Sequence, residues 1–326
     1  MKYVRYIVAA VLLILIVTGV SVQQAKSSET AYLLDTIIQV TAYGVGKSEA
    51  VRAAVSRIEE IDATFSAYRE GSEIDKINSA PAGTPVQVSE EVYGLIRRAN
   101  HFSELTGGAF DITVKPLVDL WGIGTDHARV PAPEEIQNAL ATVGYQYMEL
   151  NDAARTVTLQ KNGMGLDLGA IAKGYASDEA VRVLKEHGVK NAYLDLGGNI
   201  ATIGGKPQAL GEILTGKGLR RNFTVGIQNP DGARGEIAET VEMPLSGGFV
   251  VTSGDYERFF EQDGVRYHHI LDPRTGYPAR SGLRSATVVR GNGAEADALA
   301  TSVFILGREG AQITEDSSEV ILLPEG

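Results

Sequence analysis

The chain has 326 residues, of which 44% are hydrophobic and 22% charged, and its formal net charge is −11. This is enough material for one large globular domain or two closely joined ones, and the lack of repeats argues against solenoids and disordered scaffolds. The sequence contains no cysteine, which excludes disulfides, thiolate catalysis, iron–sulfur clusters and lipidation on cysteine. The acidic balance disfavours nucleic acid as the main partner, because phosphate binding needs a basic face.

The N-terminus carries an export signal. Lys2 and Arg5 precede an apolar run over residues 7–22, a pattern typical of exported proteins. The run is intermediate in length between a signal-peptide core and the ~20 residues of a membrane span. Residues 1–27 are therefore predicted to be either a cleaved signal peptide or an uncleaved membrane anchor. The folded domain is expected outside the cytoplasm, membrane-associated or secreted, after a linker over residues 28–33.

The rest of the chain, residues 34–326, predicts one α+β domain. Helical spacing, capping residues and turn signals place the elements. The first are a strand at 36–43, a helix at about 51–65, a helix between Ser89 and Gly107–Gly108, a short helix from Pro133 to near Gly144, and strands at 148–150 and 156–159. The later elements are a helix from about 169 to 187, a strand at 192–196, strands and loops over 200–271, a helix at 294–306 and a strand at 320–323. Without regular βαβ spacing, the sheets should be mixed and largely antiparallel, with packed helices.

The common nucleotide-binding motifs are absent. Residues 44–48 (Gly-Val-Gly-Lys-Ser) resemble the end of a P-loop, but Thr41 stands where that motif needs its first glycine. A turn between strand and helix is the better interpretation. No G-x-G-x-x-G follows a predicted strand, so a Rossmann site is unsupported. An anionic nucleotide would then need a local lysine or a metal ion.

The segment 165–174 places polar residues around a glycine turn. Asp167 lies in an apolar strand, and Lys173 lies in the first turn of the predicted helix, where it opposes the helix dipole. A bound anion reverses that cost, because the ammonium and the free N–H groups can both face a phosphate. A strand–helix turn with a solvated lysine is the alternative.

A second polar pair lies in the apolar helix near the C-terminus. Asp297 and Thr301 are four residues apart, so they share one helix face. Carboxylate and hydroxyl oxygens suit magnesium, which takes few protein ligands and completes its shell with phosphate and water. The alternative is an Asp favoured by the helix dipole, with Thr as filler.

Two adjacent histidines, His268 and His269, precede a turn. They could ligate a metal, but no third ligand is obvious, and neighbouring strand residues point to opposite faces. Only one of them is therefore expected to enter a given site. Asp272-Pro-x-x-Gly276 predicts a turn whatever the function.

Together these segments resemble the ApbE family of FAD:protein FMN transferases, from about Leu34 to the C-terminus. Eight motifs occur in the order in which the family has them. They are Tyr68–Asn78, Thr106–Leu117, Leu120–Gly122, Asp167–Gly174, Tyr193–Asn199, Thr252–Tyr256, His268–Gly276 and Asp297–Thr301.

The resemblance implies a metal site. Asp297 and Thr301 match magnesium ligands, and the backbone carbonyl of Ala170 completes that side. Some members carry an Asp where this chain has Ala300, so the site is expected to bind its metal more weakly or to hold fewer ions. Many members are lipoproteins, whereas here Val20 lies in the stretch where a lipidated cysteine is expected.

The resemblance also implies an FAD site, in which the FAD-binding positions are Tyr68, Asn78, Ala109, Phe110, Asp111, Asp167, Lys173 and His269. Asp297 and His269 are the candidate catalytic residues, and His269 either takes the proton of the attacking hydroxyl or orients the flavin.

The implied reaction is magnesium-dependent transfer of FMN from FAD to a Ser or Thr hydroxyl of another protein, with release of AMP. The family's acceptors carry an Asp-Gly-x-Ser/Thr-Gly-Ala-Ser/Thr motif. This chain has no such segment, so transfer is expected in trans, to an FMN-binding redox protein. An FAD pyrophosphatase that uses water, and a non-catalytic FAD-binding protein, are the two alternatives.

Overall fold

The computed structural model describes residues 22–314 and 319–325, together with the single positions 3, 6, 11 and 20. Most of the predicted export run over residues 7–22 therefore lies outside the described residues. Within the part of the chain that is described, no helix combines the length and the apolarity that crossing a membrane requires.

Eight α-helices are described. The helix that begins at Pro133 ends at Leu140, four residues before Gly144, and a single 3-10 turn follows it. The helices are α1 (Ser48–Phe65), α2 (Glu73–Ser79), α3 (Glu90–Leu105), α4 (Lys115–Trp121), α5 (Pro133–Leu140), α6 (Ala172–Glu186), α7 (Leu210–Leu214) and α8 (Gly293–Leu306).

The described strands number sixteen. The early ones are β1 (Lys26–Leu33), β2 (Thr36–Tyr43), β3 (Val86–Gln87), β4 (Met148–Asn151), β5 (Thr156–Leu159), β6 (Ala192–Leu196), β7 (Asn199–Ile203) and β8 (Lys206–Pro207). The later ones are β9 (Arg220–Arg221), β10 (Thr224–Gln228), β11 (Ile237–Glu242), β12 (Gly248–Gly254), β13 (Phe259–Gln262), β14 (Val265–His268), β15 (Leu283–Arg290) and β16 (Glu319–Pro324).

A seven-stranded sheet in the order β1-β2-β6-β7-β12-β15-β16 forms the centre of the fold, and each of its strand pairs is antiparallel. On one face, alternate residues such as Ile38 and Val251 pack against α1, α6 and α8. On the other face, Ile200 and Val250 pack against the β10–β11 hairpin. The predicted α+β fold with largely antiparallel sheets is confirmed.

Local signals predict most of these elements. The helix expected at 51–65 is α1, and Ser89 caps α3 by accepting a hydrogen bond from the Val92 amide. The helix α6 begins at Ala172, three residues later than predicted, because Ile171 has a φ of −143° and does not continue a helix.

The predicted linker over residues 28–33 is wrong, because these residues lie in β1. This strand pairs with β2 residue for residue, from Lys26 opposite Tyr43 to Leu33 opposite Thr36. Its polar sequence gives little intrinsic preference for a strand. Pairing along β2 supplies the missing preference, since strand formation depends on tertiary context.

Candidate active site

The first feature of the site is a buried carboxylate on α8. Asp297 has only 3% of its surface exposed, and its Oδ2 accepts a hydrogen bond from the Gly174 amide at 2.8 Å. Its Oδ1 lies 3.9 Å from the Lys173 ammonium. A carboxylate removed from water needs compensating partners, and one amide and one distant ammonium supply only part of that need. The remaining lone pairs can serve a cation.

The bond from Gly174 also changes the backbone at the start of α6. In a regular helix the Gly174 amide would donate to the Ala170 carbonyl, four residues earlier. Because it donates to Asp297 instead, the Ala170 carbonyl receives no hydrogen bond from any described residue. The Asp297 carboxylate thus takes the donor that a regular helix would give to Ala170, and the Ala170 carbonyl oxygen keeps free lone pairs.

The third oxygen comes from Thr301, one helical turn beyond Asp297 on α8. Its hydroxyl lies 3.2 Å from the hydroxyl of Ser253, near the end of β12. This hydrogen bond fixes the orientation of the Thr301 side chain. Ser253 belongs to the Thr252–Tyr256 motif, but its contact with Thr301 cannot be read from the sequence.

These three oxygens fit magnesium rather than a softer metal. Carboxylate, carbonyl and hydroxyl oxygens are hard ligands. No group of three or more His, Cys, Asp or Glu side chains capable of holding a metal exists among the described residues. Asp297, Thr301 and Ala170 would therefore hold the ion only in part, and a bound phosphate and water would complete its shell.

Two glycines hold α6 and α8 together at this point. A Cβ atom at Gly174 would lie 2.2 Å from the Gly293 carbonyl oxygen, and one at Gly293 would lie 2.5 Å from that of Gly174. The Asp178 carboxylate accepts hydrogen bonds from the Gly293 and Ala294 amides at 2.7 and 2.9 Å. The first turn of α8 is thus fixed against α6, and this contact sets the position of Asp297. Sequence reasoning missed Asp178, which lies inside α6 with no local motif around it.

Lys173 provides positive charge at the N-terminal end of α6. Its ammonium donates to the Gly169 carbonyl at 3.0 Å, and 26% of its side chain is exposed. The helix N-terminus adds partial positive charge and unpaired N–H groups. An anion next to Asp297 and Lys173 would therefore meet favourable partners on the α6 side.

A second group of predicted residues surrounds Asp167. The Tyr68 hydroxyl donates to Asp167 Oδ2 at 2.9 Å, and the Gly169 amide donates to Oδ1 at 2.7 Å. Asn78 bonds both the amide and the carbonyl of Leu166, at 2.6 and 3.0 Å. Desolvation of the hydroxyl, and then the Asp167 charge, raise the pKa of Tyr68, so this residue stays a hydrogen-bond donor while its ring remains exposed.

Ala109, Phe110 and Asp111 lie behind this group. Ala109 and Phe110 are buried in the core. The Asp111 carboxylate accepts hydrogen bonds from Thr113 and from the Tyr145 amide, and burial raises its pKa against these bonds. All three side chains are engaged with protein. Their segment reaches the site through its backbone, where the Asp167 amide donates to the Ile112 carbonyl at 2.8 Å.

The two adjacent histidines have different surroundings, because β14 ends at His268 and His269 lies in the bend that follows. His268 is buried, with Nε2 3.0 Å from the Ala279 carbonyl. His269 is half-buried, and its Nδ1 lies 3.2 Å from the Arg258 carbonyl. Desolvation, and then the charge of Arg258, lower the pKa of His269, and Lys173 is close enough to add to this effect. Only His269 is therefore near the Lys173 side of the site, and its imidazole is neutral.

The predicted residues thus form two connected groups. In the first group, Lys173 and Asp297 meet where α6 and α8 approach each other, Ala170 precedes α6, and Thr301 follows Asp297 by one turn of α8. His269 lies near enough to respond to the Lys173 charge. Tyr68, Asn78 and Asp167 form the second group, on the loop that leads into α6.

Comparison with known proteins finds similar chains and similar structures. A protein from Treponema pallidum named FAD:protein FMN transferase is 38% identical over 291 residues, covering 86% of this chain and 79% of its own. A Klebsiella pneumoniae protein of the same name is 36% identical over 284 residues, covering 86% and 83%. Among solved structures, the ApbE protein of Thermotoga maritima superposes with a TM-score of 0.80 at 35% identity, covering 91% and 94% of the two chains.

Fold, site and relatives define the class: the chain is a transferase. A solved flavinyl transferase from Pseudomonas stutzeri, 29% identical and with a TM-score of 0.77 over 93% of each chain, has the same fold. The chain belongs to the ApbE family, whose sequence model matches residues 34–322.

Proposed function

We propose that this protein transfers FMN from FAD to a Ser or Thr hydroxyl of an acceptor protein and releases AMP, in a magnesium-dependent reaction. The observation that carries this proposal is the meeting of Asp297, Lys173 and the free Ala170 carbonyl where α6 meets α8. The names of the relatives, FAD:protein FMN transferase, support the choice of reaction.

The reaction is a displacement at phosphorus. The acceptor oxygen forms a bond to the FMN-side phosphorus of FAD, the bond from that phosphorus to the bridging oxygen breaks, and AMP leaves with the bridging oxygen. Magnesium, when bound to Asp297, Thr301 and the Ala170 carbonyl, would neutralise pyrophosphate charge. Lys173 faces the same charge from the N-terminus of α6, and fixed positive groups of this kind stabilise the transition state.

We assign His269 the role of receiving the proton of the attacking hydroxyl. The Arg258 carbonyl can only accept, so His269 must hold its proton on Nδ1 and leave Nε2 free. Its lowered pKa keeps the imidazole neutral. A bound pyrophosphate raises its basicity again, because nearby negative charge favours the protonated form.

The exposed ring of Tyr68 offers a surface for the flavin. Its hydroxyl is fixed by Asp167, and the Lys115 ammonium lies 4.4 Å from the ring centroid. An aromatic ring held in this way can stack on a planar ligand. We therefore assign the isoalloxazine to the Tyr68 side and the pyrophosphate to the Lys173 side.

Mass spectrometry of an acceptor domain tests the reaction. After incubation of enzyme, FAD and magnesium with an FMN-binding domain that carries the acceptor motif, we expect the domain to gain one FMN phosphoester and AMP to appear in equal amount. Free FMN and AMP with an unmodified domain would instead identify a pyrophosphatase. Bound and intact FAD would identify a binding protein.

We further propose an extracytoplasmic location, from the basic start and apolar run over residues 1–27. Protease added to intact protoplasts of the producing cell is expected to digest the folded domain. A cytoplasmic marker enzyme in the same sample should stay intact. Digestion of the domain only after lysis would contradict the proposal.

A further inference from the structure

A pocket that shares no residue with the site described above lies on the face of the sheet that the β10–β11 hairpin covers. It has a volume of about 310 Å³, and Tyr43, Tyr193, Phe223, Lys206 and Arg221 contribute to its lining. The two tyrosine rings each lie 6.0 Å from the ring of Phe223. The pocket thus has an aromatic floor and a basic rim; we call it the basic pocket.

The polar lining of the basic pocket combines two cations with neutral side chains, which include Asn222 and Thr224. Lys206 and Arg221 are exposed, and neither forms an ion pair within the described part of the chain. The hydroxyls of Tyr43 and Tyr193 likewise have no hydrogen-bond partner among the described residues, although Tyr hydroxyls that are partly buried usually find one. Four unpaired donors around one cavity favour an anionic ligand such as a phosphate group.

The surface beside the basic pocket combines positive charge with exposed leucines. The segment over residues 204–224 contains four basic residues and one acid, in a chain whose net charge is −11. Leu214, Leu219 and Leu245 are 74%, 57% and 54% exposed. Of the acids nearby, Glu212 bonds the Ala209 amide, and Glu242 lies opposite Thr224 on β11. Asp195, two residues from Tyr193 on β6, accepts a hydrogen bond from the Gly198 amide at 3.1 Å. Basic residues alternating with exposed apolar ones are typical of surfaces that bind membranes.

The position of β1, the first strand of the domain, indicates which anionic ligand the basic pocket binds. Lys26, the first residue of β1, pairs with Tyr43, which lines the basic pocket, and the Gly44 amide donates to the Ala25 carbonyl at 2.6 Å. The apolar run over residues 7–22 ends three residues before Ala25. If that run reaches a membrane, the bilayer surface lies beside the basic pocket.

We propose that this end of the molecule docks on a membrane surface rich in anionic phospholipid, with a lipid phosphate in the basic pocket and Leu214 and Leu219 in the interface. The leucines contribute apolar area, and Lys206 and Arg221 contribute attraction to the headgroups. The docking is independent of FMN transfer, because the basic pocket shares no residue with the site at Asp297.

A fluorescent probe at Leu214 tests the docking. The sequence has no cysteine, so Leu214→Cys in the full-length chain takes one environment-sensitive dye. In nanodiscs of equimolar phosphatidylglycerol and phosphatidylcholine we expect a blue-shifted emission, absent in phosphatidylcholine alone and lost at high salt. The same dye on Leu105→Cys, at the exposed end of α3, should not respond.

Charge reversal provides the decisive comparison. Adding Lys206→Glu and Arg221→Glu to the labelled Leu214→Cys chain should weaken docking on the anionic nanodiscs by at least about 30-fold. This factor corresponds to ~1 kcal/mol for each basic residue. FMN transfer to a soluble acceptor domain should stay unchanged, which separates this proposal from the proposed function. A dye response that is equal in both lipids, or that survives the double substitution, would overturn the docking proposal.

Discussion

Asp297→Asn is expected to abolish FMN transfer while the protein stays folded. The substitution keeps an oxygen that can accept from the Gly174 amide but removes the charge that attracts a hard cation. Metal-ion catalysis supplies several kcal/mol of transition-state stabilisation. At 1.36 kcal/mol for each factor of ten, the rate should fall by about a thousandfold or more.

The thermal melt in metal-free buffer distinguishes a metal ligand from a structural carboxylate. Asp297 is only partly compensated by Gly174 and Lys173, so loss of its charge should change the free energy of unfolding by no more than ~1 kcal/mol. Thr301→Val should reduce transfer less than Asp297→Asn, because a neutral hydroxyl contributes less to holding the ion.

Asp178→Asn is the matched control for this experiment. Its carboxylate bonds two amides at the start of α8 and contributes no ligand to the proposed metal site, and Asn keeps one acceptor oxygen that can hold α8, and with it Asp297, in place. Loss of the carboxylate should lower the melt, by the ~0.5–2 kcal/mol typical of a helix cap, while transfer per folded molecule persists. Transfer rates measured across a magnesium titration, beside metal-free melts, separate the variants. An active but destabilised Asp297→Asn would remove the metal assignment.

Gly174→Ala is expected to give a large loss of stability. The added Cβ would lie 2.2 Å from the Gly293 carbonyl oxygen and 2.7 Å from Cβ of Asp297, and neither atom can move without separating α6 from α8. Overpacking typically costs ~1–3 kcal/mol, and here it exceeds the ~1 kcal/mol that Ala gains in helix propensity. We expect a net loss of about 2 kcal/mol, or roughly 3 °C in Tm for a domain of this size.

Gly94→Ala separates this steric effect from helix propensity. Gly94 lies inside α3, and a Cβ there would meet no atom within 4 Å. This variant should therefore be stabilised by about 0.5–1 kcal/mol. Differential scanning calorimetry of both variants checks the pair. If Gly174→Ala melts at as high a temperature as Gly94→Ala, α6 and α8 do not approach each other at Gly174 as closely as described.

The sequence predicts local features of the fold better than it predicts contacts. Apolar spacing and the Ser89 cap locate α1 and α3, because those signals act within one helix. The strand β1 is not predicted from the sequence, because its polar residues form a strand only by pairing with β2. Resemblance to a family supplied the candidate metal and FAD residues, whereas spacing alone left a purely structural alternative for the Asp167–Lys173 and Asp297–Thr301 segments.

The contacts that build the site join distant parts of the chain. Tyr68 meets Asp167 across 99 residues, and Gly174 meets Asp297 across 123. No local pattern encodes such pairs, because they arise only when the helices pack on the sheet. The diversion of the Gly174 amide away from Ala170, which leaves the Ala170 carbonyl oxygen free, is likewise visible only in three dimensions.

The register of the central sheet sets the distance between the proposed catalytic end of the domain and the end at which β1 begins. Val251 is level with Asn199, Leu196 and Ile38 across successive strands. Ser253 lies two residues beyond that level and Tyr43 five residues on the other side, so at ~3.3 Å per residue the two ends are about 23 Å apart. If the run over residues 7–22 is not cleaved and the basic pocket docks on the membrane, the catalytic end of the domain would lie about 23 Å from the bilayer surface. An acceptor hydroxyl lying flat on the bilayer would be out of reach, whereas one raised on a stalk or carried by a soluble domain would meet the enzyme.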